Sequence, residues 1–233
     1  MRTALALATI AAVTGAALAA AGTGTAARET APGGTGPIVF QSFGRGGISN
    51  NEIWLRRPNG TMANLTKSNA QDTYPAVSPD GTKVAFTSNR DGGRTDLYVM
   101  SVAGKGVVRL TKGDGPNQDP TWSSDGRRIA FESSRDGHPE IYVMNADGTG
   151  IRNLTSSPRT VVNQEPAWSP DGTRIAFSST RPGNPTGIYT MATDGSDVRF
   201  VVATGVGNSF PAWSPDSSRL AYDASGDVFT VPA

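Results

Sequence analysis

A sequence segment repeated four times constrains the fold of this chain more than any other feature. The segments YPAVSPDGTKVAFTS, DPTWSSDGRRIAFES, EPAWSPDGTRIAFSS and FPAWSPDSSRLAYDA begin at Tyr74, Asp119, Glu165 and Phe210. Their second residues, Pro75, Pro120, Pro166 and Pro211, are separated by 45, 46 and 45 residues. A fixed period of this length indicates an array of similar structural units, each packed against its neighbours.

Each unit is predicted to contain four short β-strands. A first strand ends at a Ser-Pro-Asp-Gly type of turn, in which Pro presets φ, Asp bonds to its own backbone and Gly accepts a positive φ. An apolar triplet such as Val84-Ala85-Phe86 forms the second strand, and its small central residue lets packed sheets approach closely. Leu97–Met100 and Arg109–Thr111 represent the third and fourth strands.

Four antiparallel strands in each repeat of 40 to 50 residues are typical of a β-propeller blade. Partial copies before and after the four segments raise the number of blades to about five. The first copy has no recognisable first strand, and the last has no fourth. We therefore predict an all-β chain, a propeller of four-stranded antiparallel blades whose two terminal blades are incomplete.

The segments PAWSPDGTRIAFSS, IYVMNADGTGIRNLT and SSRDG closely resemble the TolB-like β-propeller repeat family. The resemblance covers approximately residues 38 to 231. It implies an exported scaffold in the bacterial envelope, which binds a protein partner at one mouth of a central channel. Because propellers host many unrelated activities, the resemblance specifies the fold far better than the function.

The N-terminus is typical of a secretory signal peptide. Arg2 precedes an uncharged, Ala-rich stretch, and small residues follow as Ala17-Leu18-Ala19 and Thr25-Ala26-Ala27. We predict a signal peptide over residues 1–27, a flexible segment over 28–37 and the propeller domain over 38–233. The expected location is periplasmic or secreted, without a stable membrane span after cleavage. An uncleaved N-terminal anchor is the alternative.

Composition excludes several classes of site. The 21 basic and 20 acidic residues give no excess positive charge, so a nucleic-acid partner is not expected. The chain has no cysteine, which excludes disulfides, thiolate metal sites and a cysteine nucleophile. Its one histidine, His138, lies in a predicted loop, and no Gly-x-Ser-x-Gly sequence occurs. We expect no enzyme activity, no cofactor and no metal site.

Loop lengths predict which face binds the partner. The connections from second to third strand and from blade to blade vary in length, and in an antiparallel blade both open on the same face. Polar residues precede the inner strands there, and their side chains are expected to ring one mouth of the channel. These candidates are Gln71, Asp72, Asn117, Gln118, Asp119, Asn163, Gln164 and Glu165. Alternatively, they cap local turns and bond to neighbouring blades.

Further candidates on this face are three recurrent arginines and the loop histidine: Arg90, Arg135, Arg181 and His138. The arginines are expected either to hold an anionic ligand or to pair with a neighbouring blade. Trp122, Trp168 and Trp213 recur in the first strand, where packing between blades is favoured over a carbohydrate platform.

Binding of an envelope or extracellular protein is thus the favoured function. Two alternatives stay open. One is polysaccharide cleavage by converging carboxylates of Asp72, Asp119 and Glu165. The other is glycan binding without turnover.

Overall fold

The computed structural model describes residues 27–29, 37–43, 50–181, 183, 185–205 and 209–233. Apart from Ala27, the predicted signal peptide lies outside these residues, and only residues 28, 29 and 37 of the predicted flexible segment lie within them. Across the described ranges the regular secondary structure is entirely β. In that part of the chain there is no helix with the length and apolar character needed to cross a bilayer.

Within these residues, nineteen strands form five antiparallel sheets, each of which is one blade. Blade 1 contains β1 (Ala27–Glu29), β2 (Ile38–Phe43), β3 (Asn51–Arg56) and β4 (Met62–Asn64). Blade 2 contains β5 (Asp72–Val77), β6 (Lys83–Ser88), β7 (Asp96–Ser101) and β8 (Val108–Arg109). Blade 3 contains β9 (Asn117–Trp122), β10 (Arg128–Ser133), β11 (Glu140–Asn145) and β12 (Arg152–Asn153). Blade 4 contains β13 (Val162–Trp168), β14 (Arg174–Thr180), β15 (Gly187–Ala192) and β16 (Arg199–Ala203). Blade 5 contains β17 (Ala212–Trp213), β18 (Arg219–Ala224) and β19 (Asp227–Pro232).

The β-propeller of five blades confirms the predicted fold class, with one difference in blade 1. Ala27–Glu29 pair antiparallel with β2 and supply the first strand that the sequence pattern did not reveal. These residues carry no Pro-Ala-Trp-Ser motif, so the periodicity could not identify them. In the described part of the chain blade 5 comprises three strands, in agreement with the sequence pattern.

The turn from first to second strand is built by the repeated Ser and Asp. In blade 2 the Ser78 hydroxyl donates to the Asp80 carboxylate at 2.5 Å and accepts from the Lys83 N–H at 2.9 Å. Gly81 completes the turn with φ 71°. Blade 5 repeats this pattern, and hydrogen bonds from Ser214 and Ser218 lower the pKa of Asp216 to about 2. Turn geometry accounts for these carboxylates without a metal ion.

The hydrophobic core lies between blades rather than inside them. Val84 and Phe86 of blade 2 are buried against blade 1, whereas Ala85, between them in sequence, faces blade 3. Trp122 and Phe131 of blade 3 pack on that alanine face. Small residues meet bulky ones in the same way at the later interfaces. This confirms that the small central residue of the apolar triplet lets neighbouring blades pack closely.

The tryptophans contribute to this packing, as predicted. Trp122 and Trp213 are buried and donate their indole N–H groups to the carbonyls of Ala76 and Ala167 in the preceding blades, at 3.0 and 2.9 Å. Trp168 is equally buried, but its indole nitrogen has no hydrogen-bond partner. None of the three rings is exposed enough to serve as a stacking platform for a sugar.

Candidate binding site at the central channel

In blades 2 to 5, one residue in or just before the inner strand has its backbone in the left-handed region next to the channel. Tyr74, Asp119, Glu165 and Phe210 occupy equivalent positions before the repeated proline and have φ values of 50°, 52°, 57° and 39°. In blades 2 to 4 the pairing register with the second strand shifts at this point, which marks a β-bulge. For residues with a Cβ this conformation costs about 1–2 kcal/mol each.

These four residues and the prolines after them surround a small cavity in the channel. Its volume is ≈ 60 Å³, and Thr121 and Ala167 complete its lining. A space of this size admits a few water molecules or the tip of one side chain. It is smaller than typical pockets for small molecules, which measure roughly 300–1,000 Å³.

A third acidic residue, which the sequence analysis did not single out, belongs to this site. Glu132 is a buried residue of the second strand β10. Its Oε1 accepts from the amides of Gln118 at 3.0 Å and Gln164 at 3.5 Å, and the backbone N–H of Glu165 also bonds to this carboxylate. The repeat offered no signal for it, because the equivalent residues of neighbouring blades are Thr87 and Ser178.

Burial raises the pKa values of the three carboxyl groups, and like charge adds to the effect at Asp119 and Glu165. The pKa of Asp119 lies well above its usual value, because burial disfavours the charged form and Glu132 and Glu165 repel it. Burial also raises the pKa of Glu132, although the two amides that bond to it oppose this effect. The pKa of Glu165 rises to about 7, again mainly through burial.

The two predicted acids differ in their hydrogen bonding. Glu165 has a structural role, since its Oε2 accepts from the backbone N–H groups of Ser209 at 2.8 Å and Phe210 at 2.9 Å in the next blade. Within the described parts of the chain, the carboxyl group of Asp119 forms no hydrogen bond and no ion pair. Asp119 is therefore the group at this site that is left without a partner.

Three other predicted residues lie outside the channel. Asp72, Asn117 and Asn163 are equivalent to one another and fully buried. The Asp72 carboxylate accepts from Ser68 at 2.6 Å and forms an ion pair with Arg90 at 2.9 Å. The expected convergence of Asp72 with Asp119 and Glu165 is therefore absent, because Asp72 begins its strand two positions before the bulge. Gln71 is exposed, and its side chain accepts from Asn51.

Asn117 and Asn163 belong to a repeated arrangement that the sequence analysis missed. At the start of the third strand in blades 1 to 3 stands a buried acid, namely Glu52, Asp96 or Glu140. Each accepts a hydrogen bond from the threonine that ends a Leu-Thr pair after the fourth strand, namely Thr66, Thr111 or Thr155. We call this arrangement the Leu-Thr clasp.

The clasp also holds the linker to the next blade. Asp96 accepts from Asn117 Nδ2 at 3.0 Å, and Glu140 accepts from Asn163 Nδ2 at 2.9 Å. The recurrent acid at the start of the third strand and the recurrent Leu-Thr after the fourth are both visible in the sequence. Nothing in the sequence showed that they meet.

The recurrent arginines contact mainly their own blades, and Arg135 also pairs with Asp114 of the preceding linker at 3.9 Å. Arg90 bonds to Ser88 and Asp72, and its guanidinium lies 5.0 Å from the ring centroid of Phe86. Arg135 repeats the arrangement, with its Nη2 3.2 Å from Asn117 Oδ1. Arg181 bonds to Ser179 at 3.3 Å. The expectation of pairing between blades is thus wrong, because each arginine folds back over the aromatic residue of its own second strand.

His138 is a mostly buried residue rather than a loop-surface one. Its Nε2 lies 2.8 Å from Glu140 Oε1 and 3.1 Å from the Ser157 carbonyl, and 11% of the side chain is exposed. It therefore adds to the clasp of blade 3. Over the ranges that the structure covers, no three His, Asp or Glu side chains are placed to hold a metal ion together.

Comparison with known proteins agrees with this architecture. The family model described as the TolB beta propeller domain matches residues 75–163 and 114–231. TolB from Acinetobacter baumannii is similar with a TM-score of 0.70 and 22% identity, over 84% of this chain and 51% of that one. A putative TolB from Agrobacterium tumefaciens is similar with a TM-score of 0.67 and 26% identity, over 84% of this chain and 70% of that one. This chain thus spans about half the length of the Acinetobacter protein.

An oligogalacturonate lyase in complex with manganese is also similar, with a TM-score of 0.54 and 13% identity over 94% of this chain and 81% of that one. Identity this low shows a common fold and nothing about activity. The matches to the family model overlap and together run from Pro75 to Val231, which is more than half of the sequence. The chain therefore belongs to the TolB β-propeller domain family.

Proposed function

We propose that this chain is an exported, non-enzymatic propeller that binds a protein partner at the face carrying the second-to-third-strand loops and the linkers between blades. The partner's contact at the channel is a cationic side chain or amine. The observation that carries the proposal is the Asp119 carboxyl group, which faces the cavity without a partner between two further acids.

Charge and size both favour a cationic tip of a protein segment. A positive group beside Asp119 would offset the repulsion from Glu132 and Glu165, which raises its pKa in the free chain. The cavity of ≈ 60 Å³ matches the end of one side chain. Tyr74 and Phe210, which line the same cavity, offer aromatic surface beside that charge.

The proposed face is the one nearer to Asp119. Strand β9 begins at Asn117, next to the linker from blade 2, and ends at Trp122, next to the Ser-Asp turn. Asp119 therefore lies two residues from the linker end of its strand. This supports the linker face as the mouth at which a partner reaches the acids.

Site-specific crosslinking tests the proposed face. Because the chain has no cysteine, a single Arg94→Cys or Lys105→Cys variant can carry one benzophenone label. Both residues are exposed, Arg94 between the second and third strands and Lys105 between the third and fourth. We expect a protein from envelope extract to be captured from Arg94→Cys and not from Lys105→Cys. Capture only from the latter would place the partner on the opposite face.

Replacement of the unpaired acid tests the channel contact. Asp119→Asn keeps the size of the side chain and removes its charge, and the crosslinked protein should then bind at least tenfold more weakly. Asp147→Asn, at an exposed turn between third and fourth strands, is the matched control and should bind like the unaltered chain. Unchanged affinity of Asp119→Asn would show that the channel acid does not contribute.

Export and the absence of catalysis are separate parts of the proposal. Mass spectrometry of the chain recovered from its native cell should show an N-terminus beyond the Ala-rich stretch. Recovery of intact Met1 would contradict cleavage. Incubation with a polysaccharide panel should release no reducing ends, and turnover that disappears in Asp119→Asn would establish the enzyme alternative.

A further inference from the structure

The channel site brings acidic groups together and gives them few hydrogen-bond donors. Glu132 and Glu165 lie close enough to Asp119 for their charges to repel its carboxylate. The cavity beside Asp119 is lined by the repeated prolines, none of which has a backbone N–H to donate: Pro75, Pro120, Pro166 and Pro211. Glu165 accepts from two backbone N–H groups of the next blade, but Asp119 accepts from none of the described residues. An ionised Asp119 is therefore left without a stabilising partner.

The side chains that face Asp119 from the neighbouring strands are acidic or neutral. Strand β9, which carries Asp119, packs against β5, β6, β7, β10 and β13. Of these, β10 contributes Glu132 and β13 contributes Glu165. Strand β5 contributes Tyr74, and burial together with the charge of Asp119 raises the pKa of its phenol. One acid farther along the channel, Asp223 of β18, adds to the repulsion on Glu165.

The basic residues of these strands and of their loops are directed elsewhere. Lys83, the first residue of β6, is exposed beside the Ser-Asp turn. Arginines in or next to the packed strands contact other groups: Arg90 contacts Asp72, Arg109 contacts Asp96, Arg128 contacts Trp168 and Arg135 contacts Asn117. In the described chain, the charged groups that shift the pKa of Asp119 are thus the two glutamates.

This arrangement makes a proton and a cation compete for the same carboxyl group. Like charges held together away from water are not all ionised at once, so we expect Asp119 to keep a proton in the free chain at a pH where an ordinary aspartate has lost it. A ligand's ammonium group bonds strongly to the carboxylate, because it neutralises the charge as well as donating N–H groups. The protonated carboxyl group offers that ligand no charge.

We propose that the channel exchanges a proton for its cationic ligand: an ammonium group binds the ionised Asp119, and the carboxyl proton passes to water. This inference rests on the proposed function, in which the partner presents a cationic tip at the channel. Because the two equilibria are linked, affinity rises with pH while the free chain is protonated at Asp119 and becomes constant once it is ionised. The partner is thus held at neutral pH and released in acid.

The test uses n-butylammonium, which has the ammonium group and alkyl chain of a lysine side chain. Isothermal calorimetry measures its binding to the full chain across pH, with sodium chloride holding the ionic strength constant. We expect the Kd to fall at least tenfold from about pH 5 to about pH 8, with a proton released on binding, which buffers of different ionisation enthalpy reveal. Equal affinity at both pH values, or no binding at about 100 mM probe and about pH 8, would overturn the proposal.

Variants assign the exchange to Asp119 and its neighbour. Asp119→Asn keeps the shape of the side chain and should bind the probe at least tenfold more weakly at about pH 8, without pH dependence. Glu132→Gln keeps the oxygen that accepts from Gln118 and removes one like charge, so affinity should become constant at a lower pH. Asp147→Asn, at an exposed turn, should match the unaltered chain. An unshifted pH profile in Glu132→Gln, or pH-dependent binding that survives in Asp119→Asn, would contradict the exchange.

Carboxyl carbon NMR separates a failure of this inference from a failure of the proposed function. The Asp119 resonance, assigned by its loss in Asp119→Asn, should titrate above the range of an ordinary aspartate, and n-butylammonium should move its midpoint to lower pH. An ordinary titration of Asp119 would overturn the exchange even where a partner protein is captured at the linker face. If no partner is captured there, the proposed function fails, while the shift caused by the probe still supports the exchange.

Discussion

At the scale of single residues, the channel depends on backbone geometry that the side chains do not favour. Tyr74, Asp119, Glu165 and Phe210 all carry a positive φ, although residues with a Cβ rarely adopt it. The same backbone conformation places an aromatic ring in two blades and an acid in the other two. The bulge therefore belongs to the scaffold, while the residue at this position determines the chemistry of the channel.

Glu165 should make stability depend on pH. Its pKa is about 7 when folded and about 4.5 when unfolded. Between these values the folded chain binds more protons than the unfolded chain, so the free energy of unfolding falls as pH rises from about 4.5 to 7, on the order of 2–3 kcal/mol. The raised pKa of Asp119 likewise makes the free energy of unfolding fall as pH rises.

Urea unfolding across this pH range checks the effect. Glu165→Gln retains an oxygen that accepts from Ser209 and Phe210, and it should reduce the slope while Asp119 and Glu132 keep the rest. Asp147→Asn, with an exposed side chain, should keep the slope. A stability that rises from pH 4.5 to 7 in the unaltered chain would contradict the raised pKa.

Two equivalent tryptophans should respond differently to the same substitution. Trp122→Phe removes a buried hydrogen bond to Ala76, whereas Trp168→Phe removes an indole N–H that has no partner. We expect Trp122→Phe to lower the free energy of unfolding by about 1 kcal/mol more than Trp168→Phe does. Urea titrations followed by circular dichroism measure both, and the opposite order would contradict the assigned bonds.

At the scale of elements, the Leu-Thr clasp joins the third strand, the fourth strand and the linker to the next blade. Its acid is inaccessible to water, so the polar groups around it have no alternative partner. This explains why the linkers can vary in length while the residues at both of their ends recur. The ends of the variable linkers are thus held in place by the hydrogen bonds of the Leu-Thr clasp.

Removal of one clasp acid should destabilise the fold strongly. Asp96→Ala leaves Thr111, Asn117 and the Gly113 N–H without their acceptor and Arg109 without its buried ion partner. We expect a loss of about 3–5 kcal/mol. Asp114→Ala removes an acid with 68% side-chain exposure and should cost less than about 0.5 kcal/mol. Thermal unfolding of both variants compares them, and equal midpoints would contradict the clasp.

The sequence predicted the strands and the blades well, because both follow from local pattern. The spacing of the prolines gives the length of one blade, and the alternation in Val84-Ala85-Phe86 indicates a strand. Neither inference requires knowledge of which distant residues meet. The site was harder to predict. Asp72 and Asp119 both precede the repeated proline of their blades, yet one is buried in an ion pair and the other faces the channel. Asp119 occupies the bulge of its blade, whereas Asp72 lies two positions before the bulge of its own. No residue type in the sequence indicates where the bulge occurs.

At the scale of the whole molecule, the interfaces between blades run in chain order. Inner strands contact each other from β5 to β9, from β9 to β13 and from β13 to β17. Across the described ranges, none of the closely packed strand pairs joins blade 5 to blade 1. Within the described chain, each interface is thus formed by two blades that are consecutive in sequence.

The central claim is that the blades surround one axis, so that residues far apart in sequence share the channel. A short bis-maleimide crosslinker tests it with Tyr74→Cys and Phe210→Cys in one chain, which line the same cavity from blades 2 and 5. Packed sheets lie about 10 Å apart, so a linear stack would separate these blades by roughly 30 Å. The pair Val108→Cys and Phe200→Cys, exposed on outer strands, serves as control.

Mass spectrometry of the digested chain should show efficient intramolecular crosslinking of residues 74 and 210 and none of 108 and 200. Failure of the channel pair to crosslink in the folded chain would contradict the arrangement around an axis, and with it the shared acidic channel.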